Sequence, residues 1–192
     1  MTAIAALPFA DPRLSIVTIG DGAETPAWQR MFGWPAGGSG AVPLDARSPA
    51  TRNIWAAKLD RAVREADARV LIVAEGLGCA ASAWWARLSP TDDVRKVAGA
   101  LLFAPPADAG DLFASPRSRL PFPSLVIRPG GAPDDLAAAV DDWGSRLVVG
   151  DRVRDRRAGA VAWRQAQRLF LRLTQQVVDH DVDRGRAITG WR

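Results

Sequence analysis

The order of hydrophobic and polar positions divides this chain into short apolar runs and longer segments of helical period. Leu14–Ile19, Ala41–Leu44, Val70–Val73, Ala98–Ala104, Ser124–Ile127 and Arg146–Val149 are short runs rich in apolar residues, as strands buried in a parallel sheet should be. Between them lie segments of helical spacing. Pro49 opens one that runs from about Ala50 to Ala66, with Ile54, Trp55, Leu59, Ala62 and Val63 as its predicted core stripe. Gly78–Leu88 is a second. A third starts at Asp134 and Asp135, acidic where the helix dipole is positive, and ends at Trp143-Gly144. Shorter and longer helices are expected over 24–32 and 158–178. Strands alternating with helices predict an α/β fold: a mostly parallel sheet of about six strands with helices on both faces.

Residues 1–13 read as an irregular lead-in and 179–192 as a polar tail, so the expectation is a single domain over 1–192 with no lid domain. At 192 residues and 48% hydrophobic, the chain is long enough for one sizeable core. No apolar run approaches the about 20 residues of a membrane span, and the N-terminus lacks the basic n-region of a secretory signal. A lone cysteine, Cys79, excludes a disulfide framework and most thiolate metal sites. These features lead to the expectation of a cytoplasmic protein with no membrane partner, no metal and no cofactor.

The chemistry concentrates in Val-Leu-Ile-Val-Ala-Glu-Gly-Leu-Gly-Cys, residues 70–79. A strand, a glycine-punctuated turn and a helix follow one another here. Gly76-Leu77-Gly78-Cys79-Ala80-Ala81 fits the G-x-G-x-x-A pattern of dinucleotide binding. Yet it does not follow the first strand, and the next strand ends in Phe103-Ala104-Pro105-Pro106 with no acidic residue for a ribose. The same residues also fit a nucleophile elbow, G-x-S-x-G, in which a strained turn lifts a serine above the sheet. The pentapeptide is Ala74-Glu75-Gly76-Leu77-Gly78, with glycine where the nucleophile should stand.

Nearly the whole chain, from about Leu14 to Leu173, resembles the retinoblastoma-binding-protein-nine-like (YdeN-like) serine hydrolases of the α/β-hydrolase superfamily. The resemblance rests on Trp28-Gln29, Leu71–Cys79, Val97–Pro106, Pro121–Val126, Trp143-Gly144 with Arg146–Asp151, and Trp163. It implies an α/β-hydrolase-like three-layer sandwich. The family's elbow is typically A-H-S-L-G-C; here Glu75 replaces the histidine and Gly76 the serine. Aligning the family's acid-bearing loop on Pro133 sets Ala132 at the aspartate, with Asp134 and Asp135 nearby. Aligning the last strand on Gly150-Asp151 sets Arg154 at the histidine. The only histidine, His180, lies in the tail.

Ser–His–Asp hydrolysis needs a hydroxyl, a base titrating near neutrality and an acid to orient it. Glycine supplies no nucleophile, and arginine stays protonated. The resemblance therefore implies a degenerate triad at Gly76, Ala132 and Arg154. The leading expectation is a pseudo-hydrolase that keeps a pocket above the elbow. Gly76, Leu77, Gly78, Glu75, Arg154 and Trp28 are its expected ligand-binding residues, and a small anion or a protein is the expected partner. A different chemistry, with Glu75 or Asp134 activating water, is the enzymatic alternative. Cys79 and the tryptophans at 55, 84, 85 and 143 read as packing residues, and Asp60, Arg61, Arg64 and Glu65 as a solvated helix face.

Charge adds one further alternative. The net charge is a modest +4, and only Lys58 and Lys96 are lysines among 25 basic residues. Arg164, Arg168 and Arg172 form a stripe on the predicted C-terminal helix, opposite Ala162, Ala166, Leu169, Phe170, Leu173 and Val177. Such a stripe suits phosphates or an acidic partner. Asp151 and Asp155 interrupt the basic cluster and no nucleic-acid module accompanies it, so a solvated or docking face is preferred over nucleic-acid binding.

Overall fold

The structure, a computed structural model, describes residues 14–20, 40–103, 105, 113–114, 118–128 and 136–149. Among the described residues, five strands form one parallel sheet in the order β1 (Leu14–Ile19), β2 (Arg69–Glu75), β3 (Val97–Phe103), β4 (Ser124–Arg128), β5 (Arg146–Val149). β2 and β3 are the sheet's centre. Val70–Ala74 and all of β3 are buried, which is why their sequences are continuously apolar rather than alternating.

The expected strand at Ala41–Leu44 is reduced to one bridge, Thr18 with Ala41, on the free edge of β1. Three backbone bonds hold it there: Thr18 N–H to Gly40 O (3.0 Å), Val42 N–H to Thr18 O (2.9 Å) and Leu44 N–H to Gly20 O (2.7 Å). This placement nevertheless sets the topology. The chain leaves β1 for one side of the sheet, then returns through helix α1 (Pro49–Glu65) to β2 on the other side. The direction of strand addition thus reverses between β1 and β2. In open α/β sheets the crevice at the carboxyl ends of two such strands is where ligands bind.

α1 begins at a capping box. Ser48 Oγ accepts from Thr51 N–H (3.2 Å), and Thr51 Oγ1 accepts from Ser48 N–H (3.0 Å), with Pro49 in the first turn. The helix ends at Ala66, where the Lys96 ammonium donates to the carbonyls of Arg64 (2.9 Å) and Ala66 (2.5 Å). That is a cation at the negative end of the dipole. Its buried stripe is Trp55, Leu59 and Val63. Each such burial contributes about 1.5–3 kcal/mol. Ile54, expected in the stripe, is instead 59% exposed. One residue is a 100° rotation, and the four-residue ladder 55–59–63 leaves Ile54 on the outer side.

Helix α2 (Leu77–Leu88) follows β2 after a single turn residue. A five-residue helix α3 (Thr91–Arg95), absent from the sequence reading, follows Pro90 and carries Asp92 and Asp93 in its first turn. Helix α4 is described over Leu136–Trp143; its expected acidic start at Asp134 and Asp135 lies outside the described residues. It ends as the sequence predicts. Gly144 has φ of 62°, Gly144 N–H bonds Asp141 O and Ser145 N–H bonds Val140 O, a Schellman motif.

The buried residues separate into two groups on the two faces of the sheet. The larger includes Val70, Ile72 and Ala74 of β2 with Trp55, Trp84, Trp85, Val140 and Trp143 from the helices. The four tryptophans expected in the core are all there. The smaller is Leu71, Val73, Leu101, Phe103 and Leu125, flanked by Ile16 and Ile127. The expected helices over 24–32 and 158–178 lie outside the described residues.

Candidate functional site

The turn at Gly76 joins the carboxyl end of β2 to the amino end of α2, beside the crevice between β1 and β2. Its backbone is at φ 55° and ψ −127°, a region that L-residues rarely occupy. Two hydrogen bonds hold it: Gly76 N–H to Phe103 O (3.0 Å) and Cys79 N–H to Gly76 O (3.1 Å). This is a sharp, strained strand-to-helix turn, the backbone form that a nucleophile elbow takes. A Cβ placed on Gly76 would meet nothing within 4 Å. Among the described residues, then, nothing would obstruct a side chain at position 76, and this sequence has none there.

Gly78 has a different role. A Cβ there would lie 2.7 Å from the Ile19 carbonyl oxygen and 3.0 Å from Ile19 Cγ2. The first turn of α2 can press against the end of β1 only because residue 78 has no side chain. The two glycines of the motif thus do separate work: one relieves conformational strain, the other allows close packing.

Leu77 and Gly78 are the first residues of α2. Their N–H groups belong to the turn that has no intrahelical acceptor, and Gly76 as N-cap brings no side-chain cap. A developing or resident negative charge at this helix end is favoured by the dipole.

Glu75 precedes the turn and is half-buried. Along β2, Val70, Ile72 and Ala74 face α1 and α2, whereas Leu71 and Val73 face the other way. Alternation sets Glu75 with Leu71 and Val73, on the side of the sheet opposite α2. Glu75, expected among the ligand-binding residues, is thus set on the face of the sheet opposite α2.

Cys79 is fully buried. Its Sγ lies 3.4 Å from the carbonyl oxygens of both Ala74 and Phe103, which share its single S–H donor. Burial pushes the thiol well above its ordinary range, and the nearby Glu75 charge pushes in the same direction. A reactive cysteine needs the opposite environment. Cys79 is a packing residue that ties α2 to both central strands. Ser82, the one serine within α2, is equally committed: it is buried and its Oγ donates to Gly78 O at 2.7 Å.

Phe103 was not singled out by sequence reasoning, yet its carbonyl receives both the Gly76 amide and the Cys79 thiol. A backbone acceptor carries no residue-type signal, so only the β2–β3 register, Glu75 opposite Phe103, reveals it. Asp60 also departs from expectation. It is not part of a solvated face: it accepts from Trp85 Nε1 (2.7 Å) and Ser89 Oγ (2.8 Å), joining α1 to α2. Arg64 reaches the buried Asp93 at 3.4 Å, whereas Arg61 and Glu65 form an exposed pair at 2.8 Å, as a solvated face would. Trp28, Ala132, Asp134, Arg154, the Arg164/Arg168/Arg172 stripe and His180 lie outside the described residues. Among the described residues no group of three His, Cys, Asp or Glu side chains is placed to hold a metal ion, and no helix is long and apolar enough to cross a membrane.

Comparison with known proteins agrees with this geometry. A structure described as a YdeN-like hydrolase from Pectobacterium atrosepticum superposes with a TM-score of 0.58 at 17% identity, covering 85% of this chain and 90% of the other. That likeness is one of fold. No protein of curated function matches the chain in sequence. The serine hydrolase family model matches residues 21–171, most of the chain and all of the elements that build the elbow, so the protein belongs to the serine hydrolase family.

Proposed function

We propose that this protein is a pseudo-hydrolase, a serine hydrolase family member that uses its crevice for binding and not for acyl transfer. The observation that carries the reading is Gly76, a residue without a side chain at the apex of an elbow built to present one. The family pattern extends the argument to Ala132 and Arg154 at the acid and base positions. Without a hydroxyl and a neutral base, neither acylation nor its general-base assistance can proceed. Glu75 is a poor substitute for the base, since the alternation of β2 turns it from α2.

The proposed ligand is a small carboxylate or phosphate group. It would sit over the open seat of Gly76, against the Leu77 and Gly78 amides, with Arg154 supplying a positive charge and Trp28 a wall. The opposing arrangement is a Glu75–Arg154 ion pair that closes the same space. The setting that goes with this reading is the cytoplasm, for which the single, inert cysteine is suited.

Two measurements test it together. Serine-directed phosphonate probes and a panel of activated esters should give neither labelling nor turnover above background; stoichiometric labelling of one residue would overturn the pseudo-hydrolase reading. Sulfate, phosphate and acetate at fixed ionic strength should raise the melting temperature with concentration by mass action, and Arg154→Ala should lose that response. Equal responses of the two proteins would remove the anion site while leaving the loss of hydrolysis standing.

A further inference from the structure

Two buried indoles of the larger core group face the same requirement and meet it differently. A buried Trp N–H ordinarily finds an acceptor. Trp85 Nε1 has the Asp60 carboxylate at 2.7 Å. Trp55 is 1% exposed, and its Nε1 is buried with no hydrogen-bond partner among the described residues. Packing accounts for the body of the Trp55 ring and leaves its one polar atom over.

The surroundings of Trp55 are aromatic and cationic. Its ring meets that of Phe113 edge to face, with centroids 6.1 Å apart. Trp84 meets Phe113 in the same manner at 5.9 Å. The Arg52 guanidinium lies over the Trp84 ring, 4.4 Å from its centroid. Arg52 and Trp55 are three residues apart on α1, so they leave that helix as neighbours on one side. Both lie in its first two turns, toward the positive end of the dipole.

The chemistry of these groups selects an occupant. Guanidinium and indole carry donors and no acceptors. Asp60, the first carboxylate along α1, is committed to Trp85 and Ser89. A water could accept from Trp55 Nε1, but its own two hydrogens would need acceptors that none of these side chains supplies. A monatomic anion needs donors only, and the Arg52 charge compensates its burial. Trp55, Trp84 and Phe113 are between 0% and 8% exposed, a close-walled setting that disfavours sulfate or phosphate.

We propose that Trp55 Nε1 and the Arg52 guanidinium hold a single halide ion, chloride, within the Trp55–Trp84–Phe113 cluster. The site rests on the Trp55 N–H; Arg52 adds charge alongside its other interactions. It is independent of the crevice at Gly76.

The test replaces gluconate with chloride or bromide at constant ionic strength while the melting temperature is followed. At ten times the dissociation constant, mass action should raise it by about 3–6 °C. Trp55→Phe keeps an aromatic ring and removes the donor, so its melting temperature should not respond. Arg154→Ala should respond as the parent does, which separates this site from the proposed crevice site. Crystals of the parent soaked in bromide should show an anomalous peak at hydrogen-bonding distance from Trp55 Nε1, a readout that does not require the variant to fold. Equal halide responses of the parent and Trp55→Phe would overturn the proposal. So would a water at Nε1, an Nε1–H turned onto the Phe113 ring, or a bromide peak with no halide response in solution, which would be an adventitious ion only.

Discussion

Gly76→Ala isolates the strain stored in the elbow. Gly76 is held at φ 55°, ψ −127° by its bond to Phe103 O and by the bond it receives from Cys79. An L-residue in such a region costs about 1–3 kcal/mol. The substitution also restricts the unfolded chain, which returns about 0.4–1 kcal/mol. Among the described residues the new Cβ meets nothing within 4 Å, so the backbone terms set the expectation. The net expectation is a loss of about 1.5 kcal/mol, or about 3–6 °C in melting temperature for a chain of this size. Gly78→Ala makes the informative contrast. Helix propensity alone would favour alanine there by about 1 kcal/mol. Its Cβ, however, would lie 2.7 Å from the Ile19 carbonyl oxygen, and backbone against backbone has little freedom to yield. Gly78→Ala should therefore be the more damaging change despite its better propensity. Thermal and urea unfolding of both variants, followed by tryptophan fluorescence, decide the matter. A Gly76→Ala protein as stable as the parent would refute the strain argument, and a Gly78→Ala protein more stable than Gly76→Ala would refute the packing argument.

Gly76→Ser should show the same loss of stability and no esterase turnover, because the seat would be filled while Ala132 and Arg154 remain; measurable turnover would show that another residue serves as base. Cys79 should resist thiol reagents in the native state and react on unfolding; modification at the rate of a free thiol would contradict its burial. The same burial gives a pH dependence with a definite sign. The folded thiol titrates above its ordinary value of about 8.5, so its contribution is complete below that pH and is lost progressively above it as the unfolded state ionises. Between pH 8 and 10.5 the parent should lose more stability than Cys79→Ala, and parallel curves would refute this. Asp60→Ala leaves Trp85 Nε1 and Ser89 Oγ without their acceptor and should cost about 1–3 kcal/mol in urea unfolding; a change under 0.5 kcal/mol would return Asp60 to the solvated face.

Much of this protein is legible along the chain. Continuous apolar runs announce parallel strands buried on both faces, and the glycines at 76 and 78 announce a sharp strand-to-helix turn. These are local facts: the period of a pattern and the lack of a side chain need no tertiary partner to be read. Trp143-Gly144 ends its helix as expected because a left-handed cap is a property of four or five consecutive residues. What tertiary structure alone decided is how those elements are turned and joined. Ile54 and Asp60 illustrate it. Both lie on the same amphipathic helix, where hydropathy puts Ile54 inward and Asp60 outward. Docking on α2 reverses the assignment, because Trp85 Nε1 and Ser89 Oγ need an acceptor and the 55–59–63 ladder already fills the core. The necessity of Gly78 depends on Ile19, which is 59 positions away in sequence. The hold on Gly76 depends on a carbonyl of β3. Such contacts are set by register and by the reversal of strand order between β1 and β2. Side-chain pattern specifies which face of an element is apolar, but backbone pairing across the sheet decides what that face and each turn will meet.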